Sequence, residues 1–139
     1  MAGVRVVLDT QVWLDWLVFD DPSVGPLREA QAAGRIEIVI DDACEAELMR
    51  VLSYDLGRFT LGPGEQAQCI ARCRSVTRRV AVAAAEGLPK CRDPDDQKFL
   101  ELASGAGASL LVSKDQAVLA LSRRATDFRI VMPEDCGEL

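Results

Sequence analysis

The sequence contains no histidine. That absence removes the Ser–His–Asp triad, the Cys–His dyad, histidine general-base catalysis and histidine-ligated zinc. Any catalysis must use carboxylates, lysine, cysteine, tyrosine or hydroxyl groups. The five cysteines, Cys44, Cys69, Cys73, Cys91 and Cys136, are odd in number and form no Cys-x-x-Cys pair. This disfavours a structural zinc site and a disulfide framework, and buried, reduced thiols are expected. An excess of positive charge is missing too. Sixteen Lys and Arg stand against 22 Asp and Glu, a formal net charge of −6, which argues against a broad basic face for non-specific nucleic-acid binding. An enzyme acting on nucleic acid stays open, because bound metal ions change the local charge of an acidic site. There is no secretory signal pattern, and no apolar stretch approaches the ~18 residues that span a bilayer. A cytoplasmic location without a membrane partner is the expectation.

What remains is a globular composition, 49% hydrophobic and 27% charged, in 139 residues, which suits one domain over 1–139. Short β-branched runs alternate with helical patterns. Val4–Leu8 reads as a buried strand, followed by a helix over about 11–19 with Trp13, Trp16 and Leu17 at core spacing. A second helix covers about 26–33 and stops at Gly34; a second strand covers 36–40. Asp41 and Asp42 cap a helix to about Asp55, and another runs from about Glu65 to Arg78. The apolar run Val80 to Ala85 reads as a short strand or a continuation of that helix. Asp93, Pro94, Asp95 and Asp96 open a helix that Gly105 and Gly107 end. Strands at 109–113 and 129–132 flank a helix to about Ser122. This order predicts an α/β fold with a mainly parallel sheet covered by helices on both faces. In such sheets ligands bind beyond the carboxyl ends of the strands.

Acidic residues follow those ends. Asp9 follows the first strand, Asp41 and Asp42 the second, and Asp115 the 109–113 strand. Asp93, Asp95 and Asp96 start the helix just before that strand, and Glu45 and Glu47 lie on the helix after Asp42. Any one Asp at a helix start is most simply a cap, and Asp41, Asp42 and Asp93 keep that reading. Asp9, Asp96 and Asp115 together are different. Like charges gathered at one sheet edge raise each other's pKa unless a cation neutralises them. All-oxygen ligation suits Mg²⁺ or Mn²⁺, one or two ions. Such a site can polarise a phosphodiester and activate water without a protein base. Glu45 and Glu47 flank the apolar stripe of their helix about equally, so the helix pattern leaves the choice between them open.

Four segments carry a resemblance. Val6-Val7-Leu8-Asp9-Thr10-Gln11-Val12 resembles the opening of PIN domains, where a strand ends in Asp-Thr-Asn. Asp42 through Leu52 is similar to that family's acidic helix. Arg92-Asp93-Pro94-Asp95-Asp96-Gln97-Lys98-Phe99-Leu100 resembles the Asp-Pro-Asp-Asp segment of the branch that contains toxins of toxin–antitoxin systems. Leu111-Val112-Ser113-Lys114-Asp115 resembles its strand ending in Thr-x-Asp. The likeness covers about residues 4 to 135. It implies an α/β/α sandwich, a Mg²⁺- or Mn²⁺-dependent endoribonuclease, an antitoxin partner and a dimer. It assigns Asp9, Glu47, Asp96 and Asp115 as the metal-binding, catalytic acids, and prefers Glu47 to Glu45 by register.

Two positions depart from the family pattern. Gln11 stands where Asn is usual, and Lys114 places a cation beside Asp115. They motivate an alternative, a PIN-like interaction module that has lost the chemistry. On sequence alone Lys114 reaches solvent or a phosphate. Arg72, Arg74, Arg78 and Arg79, or Arg123 and Arg124, read as a solvated face or as an RNA path. Trp13 and Trp16 read as core or oligomer packing rather than base-stacking groups.

Overall fold

The computed structural model describes residues 3–83, 87–125, 127–137 and 139. Its elements are β1 (Val4–Leu8), α1 (Thr10–Leu17), α2 (Gly25–Ala32), β2 (Ile36–Ile40), α3 (Asp42–Leu52) and α4 (Pro63–Val76), followed by β3 (Thr77–Arg79), α5 (Gln97–Gly105), β4 (Leu110–Val112), α6 (Gln116–Leu119) and β5 (Arg129–Val131). Short 3₁₀ turns at Pro22–Val24, Gly57–Phe59, Pro94–Asp96 and Pro133–Cys136 link them.

The five strands form one sheet in the order β3-β2-β1-β4-β5, and every pairing is parallel. Val6, Val7 and Leu8 are buried, as are all three residues of β4. Neighbouring residues of a strand point to opposite faces, so both faces of the sheet are covered. The chain is therefore α/β, as the alternation predicted. Leu48, Leu52, Phe99, Leu100 and Leu102 pack the core with the strands. Among the described residues no helix is long and apolar enough to cross a membrane.

Several boundaries differ from the sequence reading. The expected helix 65–78 is Pro63–Val76, and its last residues instead begin strand β3. Val80 extends that ladder by one bond, its N–H donating to Ile40 O at 2.9 Å. Residues 81–83 are neither strand nor helix, and Ala84 and Ala85 lie outside the described residues. The helix after Asp115 is a single turn rather than a run to Ser122. Gly34 and Gly107 follow the ends of α2 and α5 with φ of 74° and 65°, the left-handed conformation that only glycine adopts without steric cost.

Candidate active site

The strand order reverses between β1 and β4. From β1 the chain steps one way through β2 and β3; β4 and β5 lie on the other side. Such a switch point opens a crevice at the carboxyl ends of the two central strands. Asp9 leaves β1 there, and Ser113, Lys114 and Asp115 leave β4.

Asp9 is 3% exposed. It caps α1, accepting from Val12 N–H through Oδ1 at 3.1 Å, and Ser113 Oγ donates to its Oδ2. Burial pushes its carboxyl up to about 6, against those two hydrogen bonds, and Asp115 and Asp15 add to the rise. Ser113 is fully buried and also accepts from Asp115 N–H at 3.0 Å. One hydroxyl thus ties the β1 carboxylate to the backbone that carries the β4 carboxylate.

Asp96 sits at the junction between the Pro94–Asp96 turn and α5. Its carboxyl is also pushed up to about 6, first by burial and then by Asp115, Asp93, Asp9 and Glu47. Four acids from different elements therefore act on one carboxylate. Its Oδ2 is buried and has no hydrogen-bond partner among the described residues. A buried, unpartnered carboxylate oxygen facing like charges is a costly arrangement that a cation relieves. Asp115 itself is exposed and caps α6, accepting from Ala117 N–H at 2.7 Å.

The two glutamates of α3 separate cleanly. Glu47 faces the crevice. Thr10 Oγ1 donates to its Oε2, Lys98 Nζ donates to its Oε1 at 2.7 Å, and Arg50 lies 3.6 Å away. Glu45 turns toward α4 and β3, where Arg74 and Arg79 hold it; hydrogen bonding to Arg74, ahead of Arg79, lowers its pKa despite burial. Asp41 and Asp93 are caps, accepting from Cys44 N–H and Asp95 N–H. Asp42 pairs with Arg79.

Other sequence readings change. Lys114 is part-buried rather than fully solvent-exposed, and it lies on the buried Asp15. Arg72 donates to Leu17 O, Arg74 and Arg79 hold Glu45, and Arg78 lies 3.7 Å from Glu37, so this group is tied into the fold. Trp13 and Trp16 are core residues, and all five cysteines are buried and free. Sequence reasoning gave no role to Ser113, Thr10 or Lys98. A small hydroxyl residue ending a wholly apolar strand was the available signal for Ser113.

The donors at the crevice are all oxygens, and the unpartnered oxygen of Asp96 fits a hard divalent ion. Among the described residues, however, no three acidic or cysteine side chains are already gathered closely enough to hold one. The physical reason is visible. Glu47 is drawn to Lys98, Asp115 is turned to its cap, and the carboxylates repel each other.

Ser113 gives a direct test of this electrostatic arrangement. Its hydrogen bond lowers Asp9, so Ser113→Ala is expected to move the Asp9 midpoint above about 6, read by carboxyl NMR on the metal-free protein. A midpoint that stays or falls would show that the hydroxyl does not support the charged form.

Fold and site together define an α/β fold with carboxylates from several elements around the switch point of a parallel sheet. Residues 5–117 match the family model of the PIN domain, and the chain belongs to that family. Its members are generally nucleases and generally use divalent metal ions. The fold is similar to that in the crystal structure of VapBC2 from Rickettsia felis bound to a DNA fragment from its promoter. The TM-score is 0.60 at 15% identity, covering 91% of this chain and 96% of that one. At that identity the likeness concerns the fold. No curated protein matches the chain in sequence.

Proposed function

We propose that this chain is a Mg²⁺- or Mn²⁺-dependent endoribonuclease, the toxin of a toxin–antitoxin pair, acting in the cytoplasm. Asp9, Asp96 and Asp115, with Glu47 as the fourth acid, would hold one or two ions and carry catalysis. The observation that carries the reading is Asp96, with an unpartnered buried oxygen and a pKa raised by Asp9, Asp115 and Glu47. An ion bound there supplies positive charge that neutralises the cluster and polarises a phosphodiester. The chain's own contribution is positional. Ser113 fixes the rotamer of Asp9. Thr10 and Lys98 keep Glu47 at the rim of the crevice. Lys98, which pairs with Glu47, would supply a cation beside the site for a bound phosphate. The similar fold within a VapBC2 complex supports an antitoxin partner; a homodimer is part of the same proposal.

The test is cleavage of RNA by the purified chain. Cutting is expected with Mg²⁺ or Mn²⁺, no cutting in excess chelator, and none of a DNA of the same sequence. Equal cleavage with and without chelator would overturn the proposal.

One observation favours a second reading, an interaction module without chemistry. Glu47 is already neutralised by Lys98 and Arg50, and the acids are not preassembled. Calorimetric titration separates the two. Binding of Mn²⁺ below millimolar concentration supports the nuclease; silence at millimolar metal supports the module.

A further inference from the structure

The two positions that depart from the family pattern converge on one buried carboxylate. Asp15 lies on α1, 4% exposed. Gln11 Nε2 donates to its Oδ1 at 3.1 Å. Lys114 Nζ lies 2.6 Å from its Oδ2, an ion-pair contact rather than an aligned hydrogen bond. The same ammonium lies 3.7 Å from Asp21, whose N–H donates to the Asp15 carbonyl at 3.0 Å. Three segments therefore meet at Asp15: helix α1, the turn that follows it, and the β4–α6 turn.

The β4–α6 turn is the one that needs a tether. β4 has three residues and α6 four. Asp115 is exposed between them; its N–H bonds Ser113, its carbonyl accepts from Leu119 N–H, and its side chain is held by one bond, the cap on Ala117. So few local bonds do not fix an exposed side chain against the repulsion of Asp9 and Asp96. A lysine adjacent to Asp115, anchored on a buried acid, does.

We infer that Asp15 and Lys114 form a positioning pair that pins the β4–α6 turn and so keeps Asp115 beside Asp9 and Asp96. The inference rests on the proposed metal site, but the tether itself is a property of the metal-free chain. Gln11 holds the second oxygen of Asp15, so the departures are a matched set.

The pair is tested by removing both charges together, because one partner alone leaves a buried charge unpaired and destabilises the fold for unrelated reasons. The double variant Asp15→Leu/Lys114→Met is compared with the natural sequence in two measurements. The first is amide hydrogen exchange without metal. Asp115 and Ala117 are expected to exchange about tenfold faster, with core amides of β1 unchanged. The second is Mn²⁺ affinity by calorimetry, expected to weaken about tenfold, the size typical of lost support to a metal ligand. A double variant that melts like the natural protein, with natural exchange at Asp115 and Ala117, would overturn the pair as a positioning device. So would loss of protection spread over the whole sheet, which marks a merely structural role. If the natural chain binds no Mn²⁺ while the double variant still frees Asp115 and Ala117, the metal-site reading fails and the tether stands.

Discussion

An Asp96→Asn variant is expected to lose at least about 10³-fold in RNA cleavage and to gain stability when no metal is present. The first effect follows from the chemistry assigned to the site, since the neutral amide cannot share a divalent ion with Asp9 and Asp115. The second follows from the electrostatics. Asp96 is raised from 3.8 to about 6, with burial the first cause and four acids behind it. Its charged form is therefore disfavoured in the folded chain. A shift of that size bounds the gain near 3 kcal/mol, and solvent screening of this part-exposed group reduces it to about 1 kcal/mol. That is about 3 °C in melting temperature for a domain of this size. The sign fixes a pH window. A raised folded pKa means stability present below 3.8 and lost as pH rises through about 6. The natural sequence and the variant should melt together below about pH 4 and diverge fully above about pH 6. Thermal melts in chelator across that range, beside cleavage assays, check both effects. A variant that is less stable than the natural sequence at neutral pH, without metal, would mean that Asp96 serves the fold rather than the site.

Replacing the two α3 glutamates should give opposite results. Glu47→Gln is expected to lower cleavage by on the order of 10²-fold with little change in stability, because Lys98 and Arg50 are part-exposed and can turn to water. Glu45→Gln should retain cleavage and cost about 2 kcal/mol, because it leaves Arg74 and Arg79 without the acid that joins α3 to α4 and β3. The stability that Glu45 supplies has its own pH signature. Its folded pKa lies below 4.5, so the contribution is complete above that value and disappears as pH falls through the lowered one. If instead Glu45→Gln abolished cleavage and Glu47→Gln did not, the assignment of the fourth acid would be reversed.

The strands of the centre were legible because they are buried on both faces and therefore nearly all apolar, as Val6–Leu8 and Leu110–Val112 are. β3 was not. Thr77-Arg78-Arg79 pairs only with β2 at the sheet edge, where side chains need not be apolar, so it read as the end of a helix. Asp9, Asp96 and Asp115 could be named as candidates from the sequence because each follows or precedes an element at the edge where a parallel sheet opens its crevice. The choice of Glu47 could not be made from helical periodicity, since it depends on partners far along the chain. Lys98 lies 51 residues away, Thr10 lies 37 and Arg74 lies 29 from the glutamate each one holds. The partner of Lys114 was hidden for the same reason: a lysine at a strand–helix turn reads as exposed unless the acid beneath it, here Asp15, is known.

The sheet order also governs when the site can exist. Ser113 and Asp9 are 104 residues apart, and β1 meets β4 directly. During synthesis the chain up to Arg79 holds β1, β2 and β3, enough for a partial sheet, but β1 keeps one open, apolar edge until β4 emerges. A polypeptide cut short before Leu110 lacks both Asp115 and the strand that closes that edge. On the proposed function, a truncated product would lack the site while its open apolar edge makes it adhesive toward other strands, so an unfinished copy clumps rather than cuts.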